Sequence, residues 1–181
     1  MTDEGGHFFD RYLGQEVAFP FGHGLSYTSF DYAWAGGGAP AYDAFAEQPI
    51  QLGVRVSNTG AVAAREVVQV YLAFPAAAGE PALQLRRYMK TPLLAPGEHH
   101  DCSFVLSTRD LSVWDEGGVH RDHDLLSISA SFTYDGGHFS QVQPGASWQG
   151  AWQRAAGTFE VSVGASSRDL RLNAAVHVPE V

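Results

Sequence analysis

A chain of 181 residues, 45% hydrophobic and 17% charged, has the composition of one folded domain rather than a disordered segment, and a domain this long buries about 70% of the surface its unfolded form exposes. Its 20 Asp and Glu against 11 Lys and Arg give a formal net charge of −9. The basic residues stand singly or in pairs, which argues against nucleic acid and against an anionic membrane surface and is compatible with a neutral partner such as a sugar. No stretch approaches the roughly 20 apolar residues of a membrane span, and the acidic Met1-Thr2-Asp3-Glu4 opening is no signal peptide, so the expectation is a soluble chain of open localisation.

In chain order, residues 1–24 are rich in aromatics and glycine and read as an extended arm. Residues 28–34 are a weaker strand candidate. Over 50–57, Leu52, Val54 and Val56 alternate with Gln51, Gly53 and Arg55, the period of a half-buried strand. Asn58-Thr59-Gly60 follows as a turn in which Gly60 can take a positive φ. Residues 66–74 carry Val67, Val68, Val70, Tyr71, Leu72 and Phe74, dense enough for a central strand. A candidate strand over 84–94 leads to Ala95-Pro96-Gly97-Glu98, with Pro and Gly at the two central positions of a type II turn. Over 100–106, Cys102, Phe104 and Leu106 alternate with Asp101, Ser103 and Val105. As the only cysteine, Cys102 permits neither an intrachain disulfide nor a cysteine metal site and reads as a small buried apolar residue. A strand over 111–114 places Trp114 in the core. Residues 116–151 are polar and read as an insertion, with a further strand candidate over 128–134. Over 158–164, Phe159, Val161 and Val163 alternate with Thr158, Glu160 and Ser162, and 169–176 closes the series. Short strands with regular turns and no long amphipathic helix predict an all-β fold, a meander closed into a two-sheet sandwich or barrel.

The stretch Phe19-Pro20-Phe21-Gly22-His23-Gly24-Leu25-Ser26-Tyr27-Thr28-Ser29-Phe30 closely resembles a hallmark of glycoside hydrolase family 3, the β-glucosidase and β-xylosidase family, where it opens a C-terminal fibronectin type III-like domain. Four further blocks follow in the family's order. They are Val56 to Gly60 with Arg65 to Tyr71, then Leu94 to Glu98, Asp110 to Asp115, and Gly157 to Asp169. The resemblance covers roughly 19–115 and 152–176 and implies an immunoglobulin/fibronectin type III-like sandwich over 25–181, with 1–24 as an arm arriving from catalytic domains that precede it. It also implies where that arm packs: Phe19, Phe21, Gly22, His23, Gly24, Leu25 and Tyr27 would form the domain interface, with Gly22 and Gly24 allowing a tight backbone path. Asp10-Arg11-Tyr12-Leu13 matches the family's stretch before this block only loosely.

Members of that family hydrolyse glycosidic bonds with retention, which requires two carboxylates about 5 Å apart. Their nucleophile block reads Ser-Asp-Trp, and that tripeptide does not occur here; nor do the barrel and α/β domain that carry the pair. The expectation is therefore a non-catalytic structural module, part of a glycosidase and inactive alone, with the catalytic domains as its partner in cis and no cofactor.

Other constellations are weaker. His120-Arg121-Asp122-His123-Asp124 has metal-ligating side chains but nothing to make them converge, so no metal site is expected. His99-His100 reads as an exposed strand start. Of Trp34, Trp114, Trp148 and Trp152, only Trp148 stands as a candidate glycan contact. A rival reading, a free-standing carbohydrate-binding or adhesive sandwich, would rest on such exposed aromatics.

Overall fold

A computed structural model describes residues 17–39, 49–115 and 151–180, with the backbone of 134–135 and 138–139. It divides into two compact units, residues 1–113 with 154–181, and residues 114–153.

The first unit is built from β1 (Phe30–Trp34), β2 (Ile50–Asn58), β3 (Val67–Ala73), β4 (Gln84–Lys90) and β5 (His99–Leu106). After β6 (Ser112–Asp115), β7 (Tyr134–Asp135), β8 (His138–Phe139) and β9 (Ala151–Arg154), it is completed by β10 (Gly157–Ser166) and β11 (Asp169–Val178). One sheet has the order β1-β2-β5 and the other β11-β10-β3-β4, with antiparallel pairing throughout. The predicted strands are there, but the meander is not: the turns Asn58–Gly60 and Ala95–Glu98 join β2 to β3 and β4 to β5, and each pair is split between the two sheets. The chain leaves the first sheet after β2, returns to it for β5 and leaves it again for β10. Each sheet has one apolar face, and a chain that alternates between sheets buries both faces against each other.

The inward positions are those the alternation marks. Ile50, Leu52, Val54 and Val56 of β2 lie beside Cys102, Phe104 and Leu106 of β5, with Leu52 opposite Phe104 and Val54 opposite Cys102. Facing them are Val68, Val70 and Leu72 of β3, Phe159, Val161 and Val163 of β10, and Val176 and Val178 of β11. Each large side chain so buried contributes about 1.5–3 kcal/mol relative to exposure.

Arginines clamp both open edges. Arg171 on β11 reaches β1, donating to the Phe30 carbonyl at 2.6 Å and lying 4.6 Å from the Tyr32 ring centre. At the opposite edge, Arg87 on β4 donates to the Val105 carbonyl of β5 at 3.0 Å and to Asp110 at 2.8 Å. Asp110 also caps the 3-10 turn Thr108–Leu111, accepting from the Ser107 backbone and hydroxyl.

The turn after β2 is tied down by Asn58, which is fully buried. Its Nδ2 donates to the carbonyls of Val62 and Leu94, both at 2.9 Å, and its Oδ1 accepts from Thr28 Oγ1 at 2.8 Å and from the Gly60 N–H at 3.1 Å. Gly60 is needed for space rather than for a positive φ, which it does not have. A Cβ there would come within 2.1 Å of Thr28 Oγ1. The Ala95–Glu98 turn is as predicted, with Gly97 at φ 81° and the Glu98 N–H donating to Ala95 O at 3.0 Å.

Trp114 corrects the expectation of a core position, being 45% exposed. Leu111, at the end of the 3-10 turn, takes the core place instead. β6 pairs with β9 outside both sandwich sheets, and there Trp114 packs edge-on against Trp152, ring centres 5.5 Å apart. Within the expected insertion, Tyr134 pairs with Phe139 and Asp135 with His138. The rest of 116–150, including His120–Asp124 and Trp148, lies outside the described residues, as does the arm over 1–16 with Asp10–Leu13.

Candidate functional site

A strand that packs one face on a core turns its other face to water. β3 departs from this. Val68, Val70 and Leu72 face the core, yet Gln69 and Tyr71, pointing the opposite way, are only 5% and 1% exposed. The arm bears on them. The Phe21 carbonyl accepts from the Ser167 N–H at 2.9 Å and lies 3.5 Å from the Tyr71 hydroxyl. The Gly22 carbonyl accepts from Gln69 Nε2 at 3.0 Å. Gln69 Nε2 also donates to Ala165 O at 2.6 Å, and Gln69 Oε1 accepts from the Tyr71 hydroxyl at 2.6 Å. A buried amide is tolerable when its donors and its acceptor are all engaged, and here they are.

The arm backbone is shaped for this contact. The His23 N–H donates to the Pro20 carbonyl at 3.0 Å, closing a turn whose third residue, Gly22, has φ 77°. That φ favours glycine, and space requires it as well, since a Cβ at Gly22 would sit 2.0 Å from Gln69 Oε1. Gly24 differs: nothing lies within 4 Å of where its Cβ would be.

Of the seven residues expected at the interface, Phe21 is half-buried and Gly22 carries the contact with Gln69. Phe19, Leu25 and Tyr27 are 72%, 91% and 96% exposed. His23 is exposed and tilts against Phe19, ring centres 5.3 Å apart. Apolar side chains of this size so exposed within a few residues of one another mark an interaction surface. Between the arm and the outer face of β3 and β4 runs a cleft of about 720 Å³, lined among others by Phe21, Leu25, Glu66, Tyr88, Lys90 and Arg171. Burial raises the pKa of Glu66, which accepts from the Val67 N–H. The Arg171 guanidinium, bonded to Asp169, holds that carboxyl below its ordinary value. These carboxylates serve hydrogen bonds and an ion pair, so the arrangement suits packing rather than proton transfer. Among the described residues, no three His, Cys, Asp or Glu side chains group to hold a metal, and no helix is long and apolar enough to cross a membrane.

Sequence reasoning marked the arm but missed Gln69 and Tyr71. The only signal was a polar residue and a tyrosine on the outer face of a strand otherwise apolar on both sides.

The two packed antiparallel sheets define a fibronectin type III-like β-sandwich, and residues 66–122 match the fibronectin type III-like domain family. The chain is a domain of the kind found in the C-terminal region of glycoside hydrolase family 3 β-glucosidases. It is 38% identical to a probable β-glucosidase L of Emericella nidulans over an alignment covering 91% of this chain and 20% of that protein. With a β-glucosidase of Ruminococcus albus it shares 34% identity over 64% of this chain and 12% of the relative. Among solved structures, β-glucosidase 3B of Thermotoga neapolitana in complex with glucose superposes with a TM-score of 0.65 at 30% identity, covering 96% of this chain and 19% of that one. The GH3 β-glucosidase of Bifidobacterium adolescentis superposes with a TM-score of 0.67 at 28% identity, over 96% of this chain and 20% of that one. The chain thus spans a fifth or less of the length of these curated relatives.

Proposed function

We propose that this chain is the non-catalytic C-terminal module of a family 3 glycosidase, where it braces catalytic domains that hydrolyse β-glycosidic bonds. The observation that carries the reading is the asymmetry of the match, with 91% of this chain aligned to only 20% of a β-glucosidase. The other four-fifths of such a relative is where its catalytic carboxylates would lie. Residues 1–24 are the arm that arrives from those domains, 25–181 the sandwich, and 116–151 a segment inserted in it. Phe19, Phe21, Gly22, His23, Gly24, Leu25 and Tyr27 form the interface, which by analogy with other contacts between domains buries about 600–1,500 Å². The exposure of Phe19, Leu25 and Tyr27 in the chain taken alone supports this.

One observation favours a glycan-binding role beside it: the half-exposed, edge-to-face pair of Trp114 and Trp152. Retardation of the chain in gels containing soluble β-glucan or xylan, lost in Trp114→Ala, is the result that reading expects. The test of the main reading is hydrolysis of p-nitrophenyl β-glucoside and β-xyloside, by the chain alone and by the chain joined to its upstream catalytic domains. Silence alone with turnover when joined is expected; turnover by the chain alone overturns it.

A further inference from the structure

We infer that Gln69, with Tyr71, is a positioning latch: it fixes the arm on the sheet so that Phe19, Leu25 and Tyr27 are held outward for the catalytic domains to cover. The inference rests on the module reading above. Its grounds are the way the arm is held. Within residues 19–27, two consecutive carbonyls, those of Phe21 and Gly22, accept bonds from Ser167, Tyr71 and Gln69. Gln69 touches the arm and the Ala165 carbonyl with one amide nitrogen, and Tyr71 orients the amide from the side. The latch therefore joins the arm, β3 and the end of β10 at one point, on the face of the sheet away from the core. The flanking Leu25 and Tyr27 side chains have little else to hold them, since both are more than nine-tenths exposed. Without the latch, the arm would trade one presented conformation for many, and docking would have to order it again. The fit is specific on both sides, because Gly22 has no room for a Cβ beside Gln69 Oε1.

The Ser167 N–H donates to Phe21 O, so its exchange with solvent deuterium reports the docked arm without any partner. In Gln69→Ala and in Gly22→Ala, Ser167 is expected to exchange about tenfold faster or more, while the amides of β2 keep their protection. The double variant is expected to be less affected than the product of the single effects, since both remove one contact. With the chain joined to its catalytic domains, both single variants are expected to shorten the half-life of activity on p-nitrophenyl β-glucoside at elevated temperature several-fold, with initial kcat and KM unchanged. Unchanged Ser167 protection overturns the latch, as does loosening of β2 along with it. Freed Ser167 with an unchanged half-life overturns its role in docking. If the wild-type chain adds nothing to the half-life of the catalytic domains, the module reading fails and the docking role with it, and the Ser167 result distinguishes that case from a latch that does not exist.

Discussion

Asn58 shows how much one polar side chain can organise. Itself fully buried, it links β2 to the Leu94 carbonyl in the interior and, in part-buried bonds, to the Val62 carbonyl and to Thr28 just before β1. Asn58→Ala leaves those carbonyls without their donor, and a cost of about 2–4 kcal/mol is expected in chemical denaturation. Asp110 carries a pH signature. Burial pushes its pKa up, but the Ser107 backbone and hydroxyl and the Arg87 guanidinium outweigh that, and its carboxyl lies below the ordinary 3.8. A carboxylate depressed by folding adds stability that is present above its unfolded pKa and is lost as pH falls through the folded one. Urea midpoints measured from pH 5 downward should therefore fall more steeply in the wild type than in Asp110→Asn. Glu66 has the opposite sign. Burial raises its pKa, so it favours the fold when protonated and loses that contribution as pH rises through the raised value. Glu66→Gln should raise the urea midpoint at pH 7. Cys102 is fully buried, and burial raises its thiol pKa, so thiol reagents should label it only on unfolding.

Strands were legible where alternation meets a single buried face. For β2, β5 and β10, the expected spans 50–57, 100–106 and 158–164 lie within Ile50–Asn58, His99–Leu106 and Gly157–Ser166, because each has the core on one side and solvent or thin cover on the other. The pattern was less informative where both faces are occupied. β3 was read as central from its density, and it does lie between β10 and β4, but density does not say that an arm covers Gln69 and Tyr71. Gly22 and the aromatics around it were legible, whereas the bonds that hold this segment run from the Phe21 and Gly22 backbone carbonyls, which leave no mark on residue type. Trp114 misled because apolar character near a strand end says nothing about which ladder the strand joins. Phe159, wholly buried on β10, and Trp114 separate the two cases. Phe159→Ala should cost about 3–5 kcal/mol, and Trp114→Ser no more than about 1 kcal/mol, by the same denaturation experiment.

At the scale of the molecule, two sheets share one core and are clamped at their open edges by Arg171 and Arg87. Those contacts join residues 141 and 18 positions apart and could not be foreseen from local pattern. The order of the sheets was equally hidden, since hairpin signals do not say which sheet the next hairpin enters. The result is a self-contained core with an apolar strip beside it, the arrangement that the proposed bracing role requires. Bracing means that the module and the catalytic domains stabilise each other, because a partner that binds only the folded form raises its stability. The most direct test is differential scanning calorimetry of the chain alone, of the catalytic domains alone and of the two joined. A bracing module makes the joined protein unfold in a coupled transition above those of both separate parts. Two transitions at the temperatures of the separate parts would contradict it, and would leave the sandwich a tethered domain that braces nothing.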